Sequence, residues 1–352
     1  MICALVMAGG KGTRLLPLST EEKPKQFLKL LGNETMIQMT VNRLKKLIPI
    51  ERIFVVTGKR YCDLVKEQIP DLPDRNIIKE PVGKNTAPCI ILSAFIINKY
   101  YKDATLAVLP SDHLIKDEDK FLETLKVADE FIKGKDESIV TLGMKPNRAE
   151  IGYGYISYDK ESESIGKFNI HEVNKFVEKP NKETAEKYLA RGNYLWNAGM
   201  FIWKTSTILN LSQKFLNNTF NILKEVTASS EAKFQNMLDN RYNEVHSISV
   251  DYGIMENAES IFVIPSQFGW DDVGTWKAIE RYRSKDTSNN IFVGDVTNIS
   301  GKNNVVLTKG KPIILDEVDD VLIVESDDVI FIGHKGQMEI IKEIRASHEA
   351  KG

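Results

Sequence analysis

A chain of 352 residues is longer than one compact domain needs, which predicts a large domain and a smaller one. Hydrophobic residues make up 42% and charged residues 27%, an ordinary soluble globular composition. With 47 Lys plus Arg against 49 Asp plus Glu, the formal net charge of -2 argues against a broad basic face for nucleic acid and leaves room for a small anionic ligand held by a few lysines. Cys3, Cys62 and Cys89 form neither a CxxC pair nor an even disulfide set, so they are expected as buried thiols in a reducing, cytoplasmic protein. The start MICALVMAGG lacks the basic segment of a signal peptide, and no apolar run of membrane-spanning length follows.

In chain order, Ile2 to Met7 is a continuous apolar run, as in a strand covered on both faces. A glycine-rich turn follows. Glu34 to Leu47 has helical spacing, Arg52 to Thr57 is a strand, Tyr61 to Ile69 a short helix and Asn76 to Lys79 a short strand. Thr86 to Tyr101 is a long apolar helix, Ala104 to Leu109 a strand, Lys120 to Ile132 a helix and Ser138 to Leu142 a strand. Alternation at this spacing implies an α/β fold with a Rossmann-like, mostly parallel sheet between helices, and ligands beyond the carboxyl ends of its strands. Strands are expected at Tyr153 to Tyr158, Glu172 to Val177 and Leu195 to Trp203, with a helix at Glu183 to Ala190 and helical structure over 205–240. From about residue 285 short β-type runs separated by Gly, Asn and Asp predict a small all-β unit. The domains are therefore read as 1–284 and 285–352, with no obvious repeat period in the second.

Gly9, Gly10 and Gly12 leave backbone N–H groups open to an anion, and Arg14 and Lys25 add charge on the flanks. The loop lacks the spacing of a Walker loop, and Leu15 stands where a dinucleotide fingerprint needs its third glycine. Alone it also reads as a tight strand–helix connection. The Glu80 carboxylate can accept two side-by-side N–H donors, the pattern of guanine N1–H and N2–H, whereas uracil and thymine would turn a carbonyl toward it. Thr86 reads as a base or ribose contact or as the cap of the helix it begins.

GGKGTRLLPLS with PKQ resembles the signature of the nucleoside-diphosphate-sugar pyrophosphorylases. EPVGKNTAP, PSDH, FVEKP, WNAGMFIW, DYGIM and GWDDVGTW, in this order, resemble mannose-1-phosphate guanylyltransferases over about residues 3–280. The resemblance implies a nucleotidyltransferase that joins GTP and mannose 1-phosphate into GDP-mannose and pyrophosphate, with Mg2+ as cofactor. It implies that Gly9, Gly10, Gly12, Thr13, Arg14, Lys25, Glu80, Asn85, Thr86 and Asp112 face the nucleotide, and that Gly154, Glu178, Lys179 and Asn197 face the sugar phosphate. Asp112 and Asp272 are the implied metal ligands, Asp272 being preferred to Asp271 because the family aspartate directly precedes the Val-Gly pair. Arg14, Lys25, Asp112, Lys179 and Asp272 are the expected catalytic set. His113, Trp196 and Trp203 are expected to be structural. The C-terminal unit is expected to resemble a short left-handed β-helix, to lack the cupin-type isomerase domain of longer members, and to support a homodimer. A heptose or glucose 1-phosphate substrate, or an inactive nucleotide-sugar-binding regulator, stays open.

Overall fold

The computed structural model describes residues 1–10, 15–177, 179–327 and 329–336. It divides into two compact units, one of residues 1–9 and 40–270, the other of residues 10–39 and 271–352.

The first unit is built on a nine-stranded sheet. Its strands are β1 (Ile2–Met7), β2 (Ile53–Gly58), β3 (Ile77–Glu80), β4 (Thr105–Pro110), β5 (Ile139–Met144), β6 (Tyr155–Ile165), β7 (Phe168–Val177), β8 (Tyr194–Lys204) and β9 (Ile261–Ser266), in the order β3-β2-β1-β4-β8-β5-β9-β7-β6. The pairings run all strands but β7 and β8 in one direction. The helices are α1 (Met36–Lys45), which starts in the second unit, α2 (Cys62–Gln68), α3 (Thr86–Tyr100), α4 (Glu118–Gly134), α5 (Lys182–Arg191), α6 (Thr205–Phe215), α7 (Asn217–Ala228), α8 (Glu231–Arg241) and α9 (Val250–Gly253).

Strand alternation sorts the core onto two faces. Cys3, Leu5, Phe54, Val56, Leu106 and Ile261 pack with α3 and α7, whereas Phe262 meets Phe131 of α4 at 4.9 Å on the opposite face. Helices therefore cover both sides of the sheet, as the apolar runs of β1, β2 and β4 require. The three cysteines are free and buried. Among the described residues no helix is long and apolar enough to cross a membrane.

In the second unit, α10 (Trp276–Tyr282) precedes β10 (Ile291–Val293), β11 (Val296–Ser300), β12 (Val305–Leu307), β13 (Ile313–Asp316), β14 (Val321–Glu325) and β15 (Ile330–His334). These form a β10-β12-β14-β15 sheet and a β11-β13 pair, parallel except where β15 returns. The coils have a repeat that the sequence hides. Asn289, Asn303 and Asp320 each take a left-handed backbone at the corresponding corner, but the spacing is unequal because the second coil is longer. Buried Asn290 and Asn304 stitch the coils: Asn304 N donates to Asn290 Oδ1 at 2.8 Å, and Val321 N to Asn304 Oδ1 at 3.1 Å.

Candidate functional site

Gly9, Glu80 and Asp112 come from the carboxyl ends of β1, β3 and β4, three strands of the parallel part of the sheet. This is the edge where open α/β sheets take ligands. Gly9 and Gly10 both lack a positive φ, and no described atom would obstruct a Cβ at Gly10. At Gly9 an added Cβ would lie in ordinary contact, 3.6 Å from Glu80 Oε2. The protein's own packing therefore does not demand glycine at either position. The absent Cβ atoms leave the backbone open, and at Gly9 no side chain stands against Glu80.

Glu80 is 5% exposed, and burial pushes its carboxyl up to about 7, with a hydrogen bond from Tyr242 working against the rise. Tyr242 Oη donates to Glu80 Oε1 at 2.5 Å, and its own hydroxyl is driven well above the usual range by burial and the adjacent carboxylate. Tyr242 is a part of the site that sequence reasoning missed. It lies after α8 in a segment without a motif, so no local signal marks it.

Asn85 is the N-cap of α3, with φ 68° and its Oδ1 accepting from Thr86 N at 2.8 Å. The cap is thus Asn85 and not Thr86, whose hydroxyl instead accepts from Val250 N at 2.8 Å. The next residue, Asp251, accepts from Asn197 Nδ2 at 2.8 Å, while Asn197 Oδ1 accepts from Gly199 N at 2.9 Å. Helix α9, which carries Val250 and the start of DYGIM, thereby ties KNTAP to WNAG, a role the motif's spacing does not announce.

Gly154 O accepts from Asn197 N at 2.8 Å, and a Cβ at Gly154 would rest 3.5 Å from Val177 O, at the end of β7. Asn197, Gly154 and the strand end leading to exposed Lys179 are thus neighbours. The contact of that Cβ with Val177 O and its two with Asn197, at 3.6 and 3.9 Å, are all of ordinary length, so Gly154→Ala is expected to fold with an unchanged unfolding midpoint. If Gly154 faces the sugar phosphate as the resemblance implies, turnover against sugar-phosphate concentration is expected to show KM raised about tenfold, one methyl group being worth roughly 1 kcal/mol or more in a close-fitting site.

His113, beside Asp112, accepts from the indole N–H of Trp270 at Nδ1 (3.0 Å), which places its ring proton on Nε2. Trp270 and Trp196 flank Tyr153 at 5.1 and 5.4 Å, and Trp196 and Trp203 are buried. All three expected structural residues are so placed.

The second unit carries Gly10, Lys25 and Asp272. Lys25 and Gln26 are both buried in a single 3-10 turn. Gln26 Nε2 donates to Gly10 O at 3.1 Å, and Lys25 Nζ donates to Asp272 O. The PKQ motif thus fastens both the glycine loop and the WDDVG turn, and Gln26 is a second residue that the sequence reading passed over. Asp271 is 3% exposed and consumed internally: Oδ1 accepts from Val273 N at 2.9 Å, Oδ2 from Arg281 Nη1 at 2.8 Å and Tyr282 Oη at 2.9 Å. Asp272 Oδ1 accepts from Gly274 N at 3.0 Å. Between them Val273 has φ 47°, an outlier for a β-branched residue of the kind that gathers at functional turns. Gly12, Thr13, Arg14 and Glu178 lie outside the described residues.

The Nucleotidyl transferase family profile matches residues 3–289. Mannose-1-phosphate guanylyltransferase 2 of Escherichia coli O157:H7 is 37% identical over 353 residues, which is 97% of this chain and 72% of that protein. Mannose-1-phosphate guanylyltransferase RfbM of Salmonella typhimurium is 35% identical over 97% of this chain and 71% of its own length. The crystal structure of mannose-1-phosphate geranyltransferase from Thermus thermophilus superposes with a TM-score of 0.84 at 31% identity, covering 99% of both chains.

Proposed function

Because the chain belongs to the nucleotidyl transferase family and, within it, to the mannose-1-phosphate guanylyltransferases, we propose that it transfers GMP from GTP to α-D-mannose 1-phosphate, giving GDP-mannose and pyrophosphate. A phosphate oxygen of the sugar phosphate attacks the α-phosphorus in line. The bond from that phosphorus to pyrophosphate breaks, and the sugar C1–O bond stays intact. The nucleophile is already anionic, so the protein's work is positioning and charge neutralisation rather than proton removal.

The observation that carries this reading is Glu80, buried at the carboxyl end of β3 under the bare backbone of Gly9. A base offering two adjacent N–H donors satisfies that carboxylate and favours its ionised form. In this reading Gly9, Gly10, Gly12 and Thr13 hold the triphosphate through backbone donors. Arg14 stabilises the departing pyrophosphate, Lys25 neutralises charge at the triphosphate and the entering phosphate, and Asn85 and Thr86 support base and ribose. Gly154, Glu178, Lys179 and Asn197 take the sugar phosphate.

Mg2+ belongs to the same proposal, with Asp112 and Asp272 as its carboxylate ligands. Asp272 is preferred to Asp271, whose carboxylate already accepts hydrogen bonds from Val273 N, Arg281 and Tyr282. No group of three or more His, Cys, Asp or Glu among the described residues could hold a metal by itself. Two carboxylates with phosphate and water as remaining ligands suit Mg2+, which seldom occupies an all-protein cage. Bound there, the ion would offset phosphate charge. A cytoplasmic location and a homodimer complete the reading, the dimer supported by exposed Ile314, Ile330 and Ile332 on the C-terminal strands.

The test is product formation from GTP and a panel of sugar 1-phosphates. Mannose 1-phosphate is expected to give the highest kcat/KM. A clear lead for glucose or a heptose 1-phosphate would replace mannose as the acceptor, and no GDP-sugar from any of them would remove the proposal.

A further inference from the structure

We propose that the first unit holds a second nucleotide site, for a nucleoside diphosphate either free or as the nucleotide part of a nucleotide sugar, in the cavity bounded by α4, the β6–β7 hairpin and the start of β8. The cavity measures about 1290 Å³ and is lined by none of the residues assigned above to GTP or the sugar phosphate. That volume exceeds what a lone phosphate fills and reaches past the roughly 300–1,000 Å³ typical of small-molecule sites.

Its charge is positive, with five lysines facing three carboxylates. Lys46 and Lys167 are committed, to Glu118 at 2.7 Å and Glu123 at 2.8 Å. Lys120 and Lys126 on α4 and Lys145 after β5 make no ion pair among the described residues. Three uncommitted ammonium groups around one cavity suit a diphosphate, which Lys binds as a point charge.

The apolar wall carries a built polar group. His171 on β7 is only 9% exposed, and its Nδ1 lies 2.9 Å from Asp159 O and 3.1 Å from Glu161 O. Both partners are acceptors, so Nδ1 bears the ring proton and donates to them. Nε2 is left without a partner among the described residues, on a side chain that lines the cavity. The ring packs against Tyr158 at 4.8 Å, and Tyr158 Oη is tied back to Gly192 O at 3.3 Å. Fixed rings beside a free imidazole nitrogen offer a nucleobase a face to lie on and one in-plane contact.

The experiment is equilibrium dialysis of the full chain with GDP, comparing the wild type with the double variant Lys126→Glu, Lys145→Glu and with His171→Asn. Asparagine keeps an N–H for the two carbonyls and removes Nε2 together with the rest of the ring. The wild type is expected to bind one more GDP per chain than the double variant, which keeps wild-type turnover. His171→Asn is expected to weaken the extra site about tenfold, the value of roughly one hydrogen bond. Competition by GDP-mannose at the extra site would identify a nucleotide sugar as its occupant, and its absence a free nucleotide; either supports the site. Equal stoichiometry in wild type and double variant, or an extra site filled as tightly by inorganic pyrophosphate as by GDP, would overturn it. The readout is a difference between proteins, so it stands whether or not the guanylyl-transfer reading does.

Discussion

Glu80→Gln is expected to make the protein more stable at pH 8 and, at the same time, a much poorer user of GTP. The stability half follows from burial. The folded carboxyl is raised to about 7 from 4.5, so between those pH values the folded state binds more protons than the unfolded state. Wild-type stability is thus fully present below 4.5 and declines as pH rises through about 7. Glutamine has no charge to desolvate, and its carbonyl can still accept from Tyr242 Oη. The gain at pH 8 is on the order of 3 kcal/mol and vanishes near pH 4.5, as urea unfolding at both pH values would show.

The functional half has the opposite sign. Glutamine offers one acceptor and one donor where guanine needs two acceptors, so kcat/KM for GTP is expected to fall about 30-fold or more. The wild-type pH profile is expected to lose activity as pH falls through about 7, because protonated Glu80 can no longer accept both N–H groups. Glu80→Gln should lack that limb and retain only the limb of the substrate phosphate near pH 6, roughly where such groups take up their second proton. Tyr242→Phe removes the one hydrogen bond that lowers the Glu80 carboxyl, so its limb should move to higher pH.

Adjacent aspartates are expected to fail in different ways. Asp271→Ala strips acceptors from Val273 N, Arg281 and Tyr282, and leaves the left-handed Val273 unsupported. About 3 kcal/mol of stability should be lost, less than for a fully buried pair because the Arg281 side chain is 45% exposed. Asp272→Asn keeps an oxygen for Gly274 N and removes only charge, so the unfolding midpoint should hold. Its kcat at saturating Mg2+ should fall about 100-fold or more, as for the loss of one group stabilising transferred phosphate. Unchanged turnover in Asp272→Asn would take this residue out of the metal site.

The strands ICALVM, RIFVVT and ATLAVL were legible in the sequence because a strand covered on both faces is apolar throughout. The outer half of the β6–β7 hairpin was not, since KESESI is exposed and shows no alternation. β9 is absent from the strands read in the sequence; its Pro265 sits next to the last residue of the strand, where a missing N–H is tolerated. In the candidate site, each motif is readable where it stands, yet its partners are distant in sequence. Glu80 is held by Tyr242, Thr86 by Val250 and Asn197 by Asp251, pairings that arise only when the sheet closes. The choice between Asp271 and Asp272 rests on the resemblance; the structure adds that Asp271 accepts three hydrogen bonds inside the protein, none of them visible in the sequence.

The most direct measurement is pyrophosphate release with mannose 1-phosphate held fixed and GTP, UTP, dTTP and ATP supplied in turn. The buried carboxylate predicts that GTP exceeds UTP and dTTP in kcat/KM by about 100-fold or more, and that Glu80→Gln erases most of that margin. A wild-type enzyme that used UTP or dTTP as well as GTP would contradict the account.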